Sequence, residues 1–420
     1  MSKVFSMVRI GIIGCGRILA AHLEGYQLLR EAGVEFEITA LCSRKAEDAQ
    51  SYIKRGEGPP QRSAVSDIPG DPLAVQDQYL SDFQPDVEVE VFTDYEELIA
   101  SDRVDAINDF TIHSLHHKIA LSAFSKGKHV LSQKPLAVTM EGARQMCAAA
   151  ESSGVTFGVF ENLRFVPFVR HYAWAFGENG PAGDLQMALM GNIGTWWAPD
   201  LVVAETPWRH EMIKGGGMSL DLGPHFFDMI RYIGGSEIES ISGQTEVVEP
   251  IRYIMRDGEK AESFPCDADD TFYANFKTAS GASGTMFGSW AGQGTKTTIA
   301  EGPVFYGTHG RVTGDEIHLS DRDAPLCLSE LYEKEADPEL QALHFPLGLT
   351  NDFALAQYDW IKAIETGTQP ECSGNEGLAD LACAYAVVES NLADRRVTLE
   401  EILTGSLRDY QKPIDQTIGL

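Results

Sequence analysis

Through the first 160 residues, short apolar runs alternate with stretches of helical period. Val8–Ile13 is such a run; glycines follow, then a helical pattern reaching about residue 30. Residues 37–42 predict a second strand, and a helix opens near Lys45. The rhythm continues with strands at 89–92, 104–110, 129–132 and 156–160, and helices at 95–100, 116–124 and 140–152. Runs apolar at every position suit strands covered on both faces. Strands alternating with helices predict βαβ units and a doubly wound parallel sheet. One segment breaks the rhythm: residues 55–89 are rich in Pro, Gly and Asp, and read as an insertion after the second strand, partly loop.

From about Glu161 the pattern changes. One strong helix is predicted at 218–232, followed by strands at 238–248, 271–278, 284–290, 304–307 and 316–319. Short polar or glycine turns separate them, which predicts a mostly antiparallel sheet. Helical patterns at 351–366 and 377–392 close the chain. The expected domains are 1–160 and 161–420.

Composition narrows the classes. The 420 residues exceed what one core usually serves, so two domains are expected. Hydrophobic residues at 43% and charged residues at 23% belong to a globular chain, and no apolar run is long enough to cross a membrane. Lys and Arg number 33 against 62 Asp and Glu, a formal charge of −29. Such a surface repels phosphate backbones, so no nucleic-acid partner is expected. Seven scattered cysteines give neither a disulfide framework nor zinc-ligand spacing. The N-terminus runs straight into a strand, and a cytoplasmic setting is expected.

Candidate chemistry starts in the first turn, Gly11-Ile-Ile-Gly14-Cys-Gly16-Arg17-Ile18-Leu19. Gly14 permits a tight turn, and Gly16 lets the backbone approach a pyrophosphate seated on the following helix. In NAD-binding folds the second strand normally ends in an acid for the ribose 2′-hydroxyl. Here it ends Leu41-Cys42-Ser43-Arg44-Lys45, with no acid before Glu47. Ser43 and Arg44 suit a 2′-phosphate instead, so the cofactor is NADP or NAD, with NADP slightly favoured.

Two further segments stand out. Ser132-Gln133-Lys134-Pro135 follows a strand on the carboxyl side of the sheet, where ligands of open α/β folds bind. A Lys there suits both a cofactor ribose and a substrate hydroxyl, and the Pro suits a special, even cis, turn. The other segment is Gly215–Gly217 followed by Asp221 and His225. Four residues apart on one helix, Asp221 and His225 would share a face, and a His near its working pH suits proton transfer. The same pair equally makes a capping Asp and a structurally satisfied His.

Together these segments resemble the Gfo/Idh/MocA oxidoreductases. The resemblance rests on Gly11–Ile18 with His22; Thr111 and His116; Gln133-Lys134-Pro135; Asn162-Leu-Arg164-Phe165; Trp208-Arg209; Gly215–Gly217 with Asp221, His225 and Asp228; and Tyr306-Gly307-Thr308-x-Gly310. It implies an α/β architecture: an N-terminal Rossmann domain and a C-terminal α/β domain with a large, mostly antiparallel open sheet. It also implies Lys134, Asp221 and His225 as catalytic residues. Gly14, Gly16, Arg17, Ile18, Ser43, Arg44, Thr111, His116, Gln133 and Lys134 would bind the cofactor. Arg164, Trp208, Arg209, Asp221 and His225 would bind substrate, and no metal is implied. The implied reaction moves a hydride between nicotinamide and a carbinol carbon of a sugar, sugar acid or cyclitol. His225 would act as base and Lys134 would lower the pKa of His225. Homodimers or homotetramers are implied.

The sequence departs from the family pattern in places. Glu-Lys-Pro reads Gln133-Lys134-Pro135, Thr-Pro-Asn reads Thr111-Ile112-His113, and Leu19 replaces a small residue. Trp196 and Trp197 suit a sugar face, and equally suit plain packing or an oligomer contact. Two other readings compete: an NAD-dependent glycosidase of the same family, and a dinucleotide-binding regulator without turnover.

Overall fold

Burial on both faces explains the first sheet. In a computed structural model that describes residues 7–68, 70–194, 199–294, 297–298 and 302–420, Ile10 and Ile12 of the opening strand are fully buried. That strand, β1 (Val8–Ile13), lies between β2 (Phe36–Cys42) and β4 (Ala106–Asp109). With β3 (Glu90–Phe92), β5 (His129–Gln133) and β6 (Phe157–Phe160), the order is β3-β2-β1-β4-β5-β6, parallel throughout. The connecting helices are α1 (Leu19–Glu31), α2 (Ala46–Gln50), α3 (Tyr95–Ala100), α4 (His113–Ser125) and α5 (Met140–Ser153). The doubly wound parallel sheet expected from the alternation is therefore present.

The chain divides into two units: Met1–Ala137 with Gly142–Asn162 and Leu347–Leu378, and Val138–Glu141 with Leu163–Pro346 and Ala379–Leu420. In the first unit the late helix Asp352–Thr366 packs on α1. Gly25 makes that approach possible, since a Cβ there would stand 3.0 Å from Ala354 N and 2.6 Å from Gln357 Oε1. Trp360 on the same helix is fully buried, and its indole N–H donates to the Val130 carbonyl at 3.1 Å.

The insertion is tied down rather than loose. The Gln84 side chain bonds both backbone groups of Ile38 on β2, at 3.0 and 2.8 Å. Arg55 pairs with Asp82 at 2.7 Å. Two short 3₁₀ turns, Pro72–Ala74 and Leu80–Asp82, are its regular structure among the described residues.

The second unit is built on a large mixed sheet. The unit's elements include α6 (Pro167–Phe176), β7 (Leu185–Ile193), α7 (Met218–Asp221), α8 (Gly223–Gly234), β8 (Ile238–Glu246), β9 (Ile251–Arg256) and β10 (Glu259–Pro265). Next come β11 (Thr271–Thr278), β12 (Ser283–Ser289), β13 (Thr297–Thr298), β14 (Val304–Gly307), β15 (Gly310–Thr313), β16 (Glu316–Leu319), β17 (Leu326–Cys327) and β18 (Val397–Thr398). The order is β17-β16-β15-β14-β7-β12-β11-β8-β18, with β13 also on β7 and β9 with β10 as a separate hairpin. Within this large sheet only β7 and β12 pair in parallel among the described strands. The expected antiparallel character is present. The central strand β7 escapes the sequence reading because Met187 and Leu189 on its open face are exposed and apolar, which erases the alternation.

The expected single helix at 218–232 is two. It breaks at Leu222, and Pro224 in the first turn of α8 lacks the N–H that would continue α7. Asp221 ends one helix and His225 lies in the first turn of the next, so they do not share the face of one continuous helix. Trp196 and Trp197 lie outside the described residues.

Candidate active site

In the first unit the strand order reverses between β1 and β4, and such switch points form the ligand crevice of open α/β sheets. The turn after β1 carries Gly14, at φ +105°. A Cβ there would meet the Phe110 carbonyl oxygen at 2.5 Å, so only glycine lets the turn pass so close to the end of β4. Its N–H donates to the Cys42 carbonyl at 2.9 Å. Gly16 is different: a Cβ would meet nothing within 4 Å, so the backbone there faces open space. Buried Tyr52 fixes that turn from behind, its hydroxyl donating to the Gly16 carbonyl at 2.9 Å. Arg17 donates to the Ser63 carbonyl at 3.0 Å, and Ile18 occupies the N-cap position of α1 without a side-chain capping bond. Leu19 is fully buried, so the residue that departs from the glycine fingerprint serves the core.

At the end of β2, Ser43 is half-buried and Arg44 is exposed. The structure adds an acid that sequence spacing placed too late: Asp48 Oδ2 lies 3.5 Å from Ser43 Oγ and 2.6 Å from Arg62 of the insertion.

At the ends of β4 and β5, Thr111 donates from its N–H and hydroxyl to Asp109 at 3.0 and 2.6 Å. Burial pushes the Asp109 carboxyl up. His116 is fully buried, its ring nitrogens 3.0 Å from the Pro135 carbonyl and 3.3 Å from that of Thr111. It braces these two turns from behind. The Lys134–Pro135 bond is cis and Lys134 is half-buried. Beside it, the Gln133 amide contacts His22 Nε2 at 2.7 Å. His22 is caged by Phe110, Phe160 and Phe353, and burial lowers its pKa well below the usual histidine range.

The second unit holds the other candidates. Asp221 and His225 are 8% and 7% exposed, which leaves each a narrow opening to solvent. Arg209 Nε donates to Asp221 Oδ2 at 3.2 Å, and its guanidinium lies 4.5 Å from the Trp208 ring centroid. Trp208, Arg209 and Asp221 are thus brought together. Arg164 instead sits buried in an ion pair with Asp228, both Arg164 Nε contacts being 3.1 Å. Sequence reasoning missed Asp269. This buried carboxyl accepts from Ser219 N–H at 2.9 Å and Ser219 hydroxyl at 2.8 Å, while its carbonyl takes the Met218 N–H at 2.8 Å. It therefore anchors the start of the helix that ends in Asp221. Burial pushes its pKa up to about 7.

Comparisons with known proteins agree over most of the chain. Residues 8–161 match a family model described as an oxidoreductase family with an NAD-binding Rossmann fold. Residues 175–313 match the GFO/IDH/MocA C-terminal domain. A myo-inositol 2-dehydrogenase from Thermotoga maritima is 26% identical, over 94% of this chain and 100% of that protein. A 1,5-anhydro-D-fructose reductase from Ensifer adhaerens is 26% identical, over 73% of this chain and 84% of that protein. A solved levoglucosan dehydrogenase in complex with NADH and L-sorbose superposes with a TM-score of 0.72 at 20% identity, over 94% of this chain and 99% of that one. Among the described residues no helix is long and apolar enough to cross a membrane.

Proposed function

This chain belongs to the GFO/IDH/MocA oxidoreductase family, and we propose that it oxidises or reduces one carbinol carbon of a ring polyol: a sugar, sugar acid or cyclitol. The anhydro-sugar and inositol named for its relatives support that substrate class. The observation that carries the dinucleotide part is the open backbone at Gly16, beside the β1–β4 switch point. Gly14, Gly16, Arg17 and Ile18 hold the pyrophosphate in this reading, Ser43 and Arg44 the adenosine ribose, and Thr111 and Lys134 the nicotinamide side. His116 and Gln133 brace those turns from behind.

The bound nicotinamide supplies the hydride acceptor or donor. The chain supplies proton handling and orientation. In the oxidation direction His225 takes the hydroxyl proton, a general-base role typically worth about 10²–10⁴ in rate. Lys134, the catalytic lysine by family resemblance, is assigned the stabilisation of the alkoxide as it forms. Asp221, held by Arg209, accepts from a neighbouring hydroxyl, and the Trp208 face suits the apolar side of a sugar ring. Arg164 acts indirectly, by fixing Asp228 on α8.

The test is a panel of sugars, sugar acids and cyclitols scanned with NAD and NADP at 340 nm. Turnover of at least one ring polyol, lost in Lys134→Ala and His225→Ala, is expected. Near wild-type turnover in either variant overturns the assignment.

A further inference from the structure

The insertion does more than lengthen a loop. Three consecutive residues in it, Gln61, Arg62 and Ser63, each bind a different part of the first unit beside the glycine turn. Gln61 Nε2 donates to the carbonyls of Ser51 and Gln78 at 3.2 and 2.7 Å. Arg62 pairs with Asp48 at 2.6 Å, and the Ser63 carbonyl accepts from Arg17 of the turn at 3.0 Å. The insertion's base is anchored on β2 through Gln84, so residues 61–63 are held from both sides.

We infer that Arg62 selects the cofactor by binding the 2′-phosphate of NADP, an assignment that rests on the dinucleotide reading above. A lone acid near the second strand would favour the ribose diol of NAD. Here the same Asp48 oxygen that approaches Ser43 is already paired with Arg62. Arg17 of the turn reaches the Ser63 carbonyl next to Arg62, so two guanidiniums gather about one carboxylate, Asp48, beside the glycine turn. In a chain of formal charge −29, a spot with more cations than anions suits an anionic group. Arg62 remains about half exposed, so its guanidinium reaches solvent and ligand. An arginine has donors enough to keep Asp48 on one edge and take phosphate oxygens on the other.

Calorimetric titration of the purified protein without substrate tests this, using NADP⁺, NAD⁺ and 2′,5′-ADP as probes. Arg62→Gln should weaken NADP⁺ and 2′,5′-ADP about tenfold or more, the loss expected for a charge-assisted contact, and shift NAD⁺ less than about twofold. A melting curve like the wild type's shows that the variant is folded, since Arg62 is a surface residue. Arg62→Lys should recover part of the NADP⁺ affinity. Equal weakening of both dinucleotides, unchanged NADP⁺ binding, or a wild type that ignores 2′,5′-ADP while binding NAD⁺ overturns the role of Arg62 alone. A wild type that binds neither dinucleotide overturns the dinucleotide reading itself.

Discussion

The side-chain amide of Gln133 donates to the ring Nε2 of His22 across 2.7 Å, inside a cage of Phe110, Phe160 and Phe353. Burial keeps the imidazole neutral by lowering the His22 pKa well below the usual histidine range. A neutral ring carries its hydrogen on one nitrogen only, so the donating amide makes Nε2 the acceptor and places the hydrogen on Nδ1. Gln133 thus sets the tautomer of His22, where a glutamate would accept from Nε2–H and select the other.

Gln133→Leu should therefore destabilise the protein by about 1–3 kcal/mol, the cost of leaving the buried Nε2 of His22 without its donor. Denaturant melts of variant and wild type check this. A Gln133→Leu variant as stable as wild type would refute the contribution of this bond.

The two glycines of the first turn make opposite predictions. Gly14→Ala needs a positive φ and drives a Cβ to 2.5 Å from the Phe110 oxygen, so the melting temperature should fall along with dinucleotide binding. Gly16→Ala clashes with nothing within 4 Å. It should melt within about 1 kcal/mol of wild type while losing dinucleotide affinity, because a methyl group stands where the phosphate approaches. Parallel loss of stability in both variants would argue against an open cradle at Gly16.

The legible parts of the molecule are those whose physics is local. Val8–Ile13 and Thr271–Thr278 are written in their own residues, one apolar at every position but Arg9 and one alternating, and both strands appear with those bounds. The Gly14 turn is equally local. Strand β7 was hidden because its open face keeps Met187 and Leu189 exposed. Contacts between distant residues left no trace in spacing: His22 and Gln133 are 111 positions apart, Ser219 and Asp269 are 50 apart. Asp48 illustrates the same limit at short range. It lies only five positions after Ser43, yet its relevance depends on Arg62 arriving from the insertion.

Arg209 should act on substrate binding more than on the chemical step. Its Nε bond holds Asp221, and its guanidinium rests on Trp208, but the proposed proton carriers are other residues. Arg209→Ala should raise KM about tenfold, with kcat changed only a few-fold, as expected when a partly exposed charge-assisted contact is lost. Steady-state kinetics on the active polyol from the panel would decide it. A collapse of kcat at unchanged KM would place Arg209 in the chemistry instead.

Asp269 and His210 should bend the pH–stability curve in opposite directions. Burial pushes Asp269 up to about 7, so from roughly pH 4 to 7 the folded state holds a proton that the unfolded chain has released. Its contribution is therefore full at acid pH and is lost as pH rises through 7. His210 is buried with Nε2 accepting the Val203 N–H at 3.1 Å, and its pKa is pushed down to about 3, chiefly by burial. From roughly pH 6.5 down to 3 the unfolded chain binds a proton that the folded state refuses, so its contribution is lost on acidification. Between pH 4 and 6.5 the two slopes oppose each other. Asp269→Asn removes one of them. Relative to wild type, the variant should gain stability as pH rises from 4 to 7, by an amount on the order of 4 kcal/mol, and its own curve should fall more steeply toward acid. Urea melts at half-unit pH steps measure the difference. If the gap between variant and wild type stays constant across that range, Asp269 titrates as an ordinary carboxylate, and the proton it is said to hold above Ser219 is not there.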